Sequence, residues 1–160
     1  MIWNIFYQSD KQIAWTSTGG VNEDIIAGEL ARGFSHIEVE QDDHIDAGSN
    51  MVNSTEDGIV AKSTFDPTFN TTTPALEGTV NVTGLVVGTK VYIDNVLKAT
   101  MTDTTLNLTF NAPGTFILKL EKADHLDYTK KIITARQSDR CNNYNNGNFY
   151  SKKSKVLFYA

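Results

Sequence analysis

The chain has very little cysteine, proline or uninterrupted apolar sequence, and each shortage excludes something. Cys141 is the single cysteine, so no disulfide forms within the chain and no cysteine-based zinc site can be assembled. Its neighbours are Arg140 and a run of asparagines, which gives no ground for a reactive thiol. No apolar run approaches the roughly 20 residues that a membrane-spanning helix needs, and mean hydropathy is −0.29. The N-terminus reads MIWNIFY, with no basic segment before the apolar residues and no small-residue cleavage site after them, so a secretory signal is not expected. The Asn-X-Ser/Thr triplets at Asn53, Asn70, Asn81 and Asn107 are then chance products of a chain rich in Asn and Thr.

Catalytic motifs are missing too. The sequence holds no G-x-S-x-G elbow, no P-loop and no G-x-G-x-x-G. A glycosidase needs two carboxylates across a cleft, but the acidic residues here fall on alternating outward positions of strand-like segments. No residue is therefore assigned a catalytic or cofactor-binding role, and the chain is expected to be non-enzymatic. The sharpest acidic cluster is Asp42-Asp43-His44-Ile45-Asp46. Alternating acids in a loop can wrap a hard cation, but this one lacks the glycine and closing glutamate of a calcium loop. His36 and His125 lie in other segments, which removes a histidine-based zinc site as well. The expectation is a solvated turn, with no metal and no cofactor.

Positive charge is scarce, and it is concentrated at one end. The chain carries 14 Lys and Arg against 19 Asp and Glu. Residues 1–135 hold nine basic and eighteen acidic residues, a balance of −9, while residues 136–160 hold five basic residues and Asp139, a balance of +4. An acidic body does not suit the phosphate backbone, so nucleic acid is not an expected partner, and neither is a membrane. The basic end suits an acidic protein surface, on its own body or on a neighbour.

What is abundant is alternation of apolar and polar residues. With 40% hydrophobic and 21% charged residues the chain has the composition of a folded protein. Residues 2–7 and 13–18 are two aromatic and β-branched runs around the turn-like Gln8 to Gln12, which predicts a hairpin with Trp3 and Trp15 close enough to pair. Asn22 followed by Glu23 and Asp24 predicts the start of a short helix, and Gly33 its end. Residues 35–40 alternate as a strand, and weaker strands are expected at Met51-Val52 and Ile59 to Ala61. This ββα-type unit with added strands spans residues 1–62. The Pro- and Thr-rich residues 63–75 read as a linker. Residues 76–135 contain short alternating runs with turn signals about every ten residues, the pattern of a small β-sandwich. Leu106, Leu108 and Phe110 line one face of one strand there, and Phe116, Leu118 and Leu120 one face of the next. Residues 136–160 form a basic, Asn-rich tail that ends in the apolar run Val156, Leu157, Phe158 and Tyr159. The predicted class is mainly β.

Three stretches carry a resemblance: GLVVGTKVYIDN at 84–95, APGTFILKL at 112–120 and LDY at 126–128. Together they resemble the immunoglobulin-like (Ig-like) modules of bacterial and phage proteins, in which a G-x-x-V-x-I-D-G hairpin precedes P-G-x-Y/F-x-L. Asn95 stands where that hairpin usually has glycine, and asparagine also tolerates positive φ. With the preceding ββα-type unit and the linker, the chain resembles accessory proteins of tailed-phage particles. The resemblance implies a structural virion component, a head decoration or a tail- or fibre-associated protein. It implies many copies in contact with other virion proteins. On that reading Val156, Leu157, Phe158 and Tyr159 are the expected assembly contact. The alternative is a module for carbohydrate or a host surface, with Trp3, Trp15 or Tyr92 as stacking groups.

Overall fold

The computed structural model describes residues 1–135 and the strand Val156–Tyr159. Strand accounts for 48% and helix for 7%, and all the sheets are antiparallel, so the protein is mainly β as the alternation predicts. The chain folds into two units. One is Met1–Thr64 with Ala123–Leu126, and the other is Phe65–Lys122 with Asp127–Ala160.

The first unit is built on β1 (Ile2–Tyr7), which lies between β2 (Ile13–Thr18) and β3 (Ser35–Glu40). A central strand is covered on both faces, which is why IWNIFY is almost continuously apolar. Trp3, Ile5 and Tyr7 point to one face and pack with Ile13, Ile45 and Val52. Val52 belongs to a small second hairpin of β4 (Asn50–Val52) and β5 (Ile59–Ala61). On the other face Phe6 is fully buried between its two cross-strand partners. Trp15 stacks on it at 4.1 Å between ring centroids, and His36 lies at 4.7 Å. Asn4 beside it is also buried, and it satisfies its amide through the Gly19 carbonyl and the His36 ring. The helix α1 (Glu23–Ala31) starts where the sequence predicts, with the Asn22 side chain accepting from the Ile25 amide at 2.8 Å. It ends before Gly33, whose φ of +92° suits glycine. Ile25 and Leu30 remain exposed, and no residue of α1 is fully buried.

The second unit is a sandwich of two four-stranded sheets. One has the order β13-β10-β7-β6, from β6 (Thr68–Phe69), β7 (Thr79–Thr83), β10 (Leu106–Phe110) and β13 (Val156–Tyr159). The other has the order β12-β11-β8-β9, from β8 (Lys90–Ile93), β9 (Val96–Thr100), β11 (Gly114–Glu121) and β12 (Tyr128–Thr134). The inward residues of both sheets form one core: Val80, Val82, Leu106, Leu108 and Phe110 against Val91, Ile93, Phe116, Leu118, Leu120 and Ile132. This is the inward set that the period of two predicts.

The sequence reading of residues 63–75 as a linker is corrected. Phe65 is buried in the sandwich core, Pro74 is buried as well, and Thr68 and Phe69 form a strand on β7. The Asn70 side chain accepts from the Asn81 amide at 2.7 Å. Gly84, at φ +76°, lies so close to this segment that a Cβ there would sit 3.2 Å from the Asp66 carbonyl. Thr and Pro mark loops because they break helices, but an edge strand tolerates both. Three separated apolar residues, Phe65, Phe69 and Leu76, are too sparse for alternation to reveal it.

Candidate functional site

The predicted contact Val156–Tyr159 forms β13, antiparallel to β10 of its own chain. Phe158 is in register with Leu108, and Val156 with Phe110, both core positions on β10. Tyr159 and Leu157 are in register with Asn107 and Thr109. The segment therefore closes an edge of the first sheet, where β10 would otherwise present unpaired backbone groups. Residues 136–155, including Cys141, lie outside the described residues.

The outer faces of the two sheets differ. On the first sheet β7 and β10 present Thr and Asn: Asn81 donates to Asn107 at 2.8 Å, and the Thr79 and Thr109 hydroxyls lie 3.3 Å apart. Such a face is satisfied by its own hydrogen bonds. The second sheet presents a mixed face, in which apolar side chains alternate with lysines, Glu121 and threonines. Leu97 on β9 is 50% exposed there, with Ile117 and Ile133 exposed on β11 and β12, while the exposed Val96 is the partner of the inward Ile93. Tyr92 stands between Leu97 and Lys119 in the cross-strand register. Lys119 lies over the Tyr92 ring at 5.9 Å and pairs with Asp127 at 2.8 Å, an interaction that raises its pKa through the Asp127 hydrogen bond. A hydrogen bond to Glu121 likewise raises the Tyr92 pKa. The charged pair stands between apolar and charged neighbours, Tyr92 on one side and Glu121 on the other.

The other residues singled out in the sequence are dispersed. Trp3 and Trp15 do not meet: Trp3 is opposite Thr18 and Trp15 opposite Phe6, on opposite faces of the sheet. The expectation of a tryptophan pair fails because the Gln8–Gln12 loop sets a register in which the two residues alternate out of phase. Trp3 is buried and edge-on to His44 at 5.6 Å, and its indole Nε1 has no hydrogen-bond partner among the described residues. An open depression of about 550 Å³ lies there, lined by Trp3, Thr16, Thr18, Asp42 and His44. In the acidic turn, Asp46 is used internally. It accepts from the Ser49 hydroxyl at 2.7 Å and the Gly48 amide at 2.9 Å, which lowers its pKa, while Asp42 points to the Met1 amino group. No three metal-ligating side chains converge among the described residues. His125 pairs with Asp124 at 2.7 Å, next to the bridge to Ser63.

Sequence reasoning missed the cluster of Tyr7, Lys11 and Glu56. The Glu56 carboxylate accepts from the Lys11 ammonium and from the Tyr7 hydroxyl, the latter at 3.1 Å. Lys11 and Glu56 both adopt positive φ, 69° and 61°. Two loops far apart in sequence make this contact, so spacing along the chain carries no sign of it.

No family model, curated protein or solved structure matches this chain. What the arrangement can do chemically rests on its surfaces: a paired sheet edge, a sheet face of mixed apolar and charged side chains, and the depression beside Trp3.

Proposed function

We propose that this protein is a non-enzymatic structural component of a tailed-phage virion, acting as a head decoration or a tail- or fibre-associated protein through protein–protein contacts. The observation that carries the reading is the exposed outer face of the β12-β11-β8-β9 sheet, where Tyr92, Leu97, Ile117 and Ile133 stand among Lys119, Lys131 and Glu121 as a mixed apolar and charged surface. Exposed apolar and aromatic side chains interleaved with charged ones on an open sheet face suit contact with another protein. Part of the strand order supports the Ig-like part of the reading. β6-β7-β10 and β12-β11-β8-β9 follow the A-B-E and G-F-C-C′ arrangement of immunoglobulin-type sandwiches, while β13, the last strand of the chain, takes the edge that strand D holds in those folds. The motifs at 84–95 and 112–120 supply the phage and bacterial character. The test is mass spectrometry of purified particles, which should find the chain at fixed stoichiometry. Introducing Leu97→Glu with Ile117→Lys should abolish incorporation without unfolding the chain. Absence from washed particles would overturn the reading.

A second reading is favoured by the depression beside Trp3 and His44, where two threonine hydroxyls, the His44 ring and the Asp42 carboxylate offer hydrogen-bonding groups for a sugar. On this reading the chain is a carbohydrate-binding module. A glycan-array signal lost in Thr16→Ala with His44→Ala supports it, and an array without signal rejects it.

A further inference from the structure

We infer that β13 is an exchangeable strand, and that in assemblies Val156–Tyr159 of one copy pairs with β10 of a second copy.

The first ground is the length of chain that precedes the strand. β12 and β13 lie at opposite sides of the sandwich. The Ile133 amide donates to the Thr72 carbonyl, and Ala135 bridges to Ala75, so β12 runs beside the residues that follow β6. β13 is three strand spacings from β6 in its sheet, a crossing of about 14 Å. Twenty residues, 136–155, connect Ala135 to Val156, and such a chain reaches about 70 Å when extended. Closing the strand on its own sandwich needs a fraction of that reach. The remainder is enough to place it on a neighbouring sandwich.

The second ground is that the pairing is the same in either arrangement. A strand docked on β10 of its own copy or of another makes the same ladder, with Phe158 opposite Leu108 and Val156 opposite Phe110. The choice is then set by concentration. A tether of this kind gives an effective concentration on the order of millimolar, so a dilute chain closes on itself. Copies packed side by side in an array meet each other at comparable or higher local concentration, and exchange competes.

The third ground is charge. The segment 136–160 carries +4 and residues 1–135 carry −9. A neighbour's body therefore attracts the tail as its own body does, and every exchanged tail offsets the repulsion between two acidic bodies.

Only the local-concentration step uses the assembly reading; the exchange itself is a property of the purified chain. The experiment mixes two variants, both carrying Cys141→Ser. One has Thr109→Cys on β10, and the other has Leu157→Cys, its partner in the register. Neither can form a disulfide with the other site inside one chain. After mixing at millimolar concentration and mild oxidation, a covalent heterodimer should form, and its yield should fall at least tenfold at micromolar concentration. A control with Thr115→Cys on β11 in place of Thr109→Cys should give none. Heterodimer yields equal to the control at both concentrations would overturn the inference. If a cysteine variant does not fold, an equimolar mixture of differently isotope-labelled chains of natural sequence decides instead. Isotope-filtered NOEs between copies at Asn107 and Tyr159 support exchange, and NOEs only within a copy reject it. Failure here leaves the virion reading standing, because particle mass spectrometry does not depend on which copy donates the strand.

Discussion

Asp94 and Asn95 turn the chain between β8 and β9 with φ of 51° and 64°. Two consecutive positive values are the requirement of a type I′ hairpin turn, which matches the right-handed twist of its strands. Asp94 is doubly committed, since its carboxylate accepts from the Ile117 amide at 2.9 Å and its own amide donates to the Ile117 carbonyl. Asn95 has no such duty and is there for its conformation. Asn95→Gly should therefore raise the stability of the sandwich by up to about 1 kcal/mol, and Asn95→Val should lower it by about 1–2 kcal/mol. Urea melts of the two variants check both signs. Glu56 gives a second residue-scale expectation. The hydrogen bond from Lys11, then that from Tyr7, then the Lys11 charge hold its pKa below the ordinary 4.5. A carboxyl with a depressed folded pKa stabilises above its unfolded value, and that contribution is lost as pH falls through the folded value. Asp46 and Asp57 are depressed as well, by Ser49 and Thr55 respectively, and add in the same direction. The first unit should thus lose stability progressively as pH falls below about 5. Glu56→Gln should be less stable at neutral pH and show a shallower decline, measured by thermal melts across that range.

At the scale of elements, the helix and the last strand make contrasting cases. α1 depends on its cap more than on packing, because none of its residues is fully buried. Asn22→Ala should speed amide exchange at Ile25 and Ile26 about fivefold, the effect of a cap worth about 1 kcal/mol. Exchange in β1 should be unchanged; equal acceleration there would show that the helix is part of the core. β13 is the opposite case, since it completes a sheet. Ending the chain at Ala135 should lower the melting temperature of the sandwich by about 4–8 °C for each kcal/mol lost, and an unchanged temperature would mean that the strand does not pair in solution. The sequence made these elements legible to different degrees. Leu106, Leu108 and Phe110 alternate with polar residues, and the structure buries all three. The Asn22 cap and the Gly33 stop were equally readable, because each is a local rule acting on adjacent residues. Which β-strands neighbour each other is not local. Nothing in VLFY names β10 as its partner, and nothing at Lys11 names Glu56, because those choices are made by the register of distant strands. The tryptophans show the same limit. Alternation marks both as strand residues, but only the loop register places them on opposite faces.

The whole molecule divides into two units, and where the second begins is testable. A reading from composition starts it at about residue 76, after the prolines. The fold starts it at Phe65. The eleven residues 65–75 contribute a buried aromatic ring, a strand on β7 and the close approach of Asp66 to Gly84. Removing a buried phenylalanine from a core costs about 3–5 kcal/mol, which is comparable to the entire stability of a small domain. Two fragments separate the readings. One spans residues 65–160 and keeps Phe65 and β6; the other spans 75–160 and has neither. The longer fragment should unfold cooperatively in urea, with dispersed amide resonances before the transition. The shorter one should show a midpoint lower by at least 1 M, taking a typical slope of about 1–3 kcal/mol per M for a domain of this size, or should not fold. Limited proteolysis of the full chain gives an independent measure, because a peptide bond in an ordered strand is cut only after local unfolding. Bonds around Thr68 and Phe69 should resist a protease that cleaves freely at exposed sites. Equal midpoints for the two fragments, together with rapid cleavage near Phe69, would return residues 65–75 to the status of a linker.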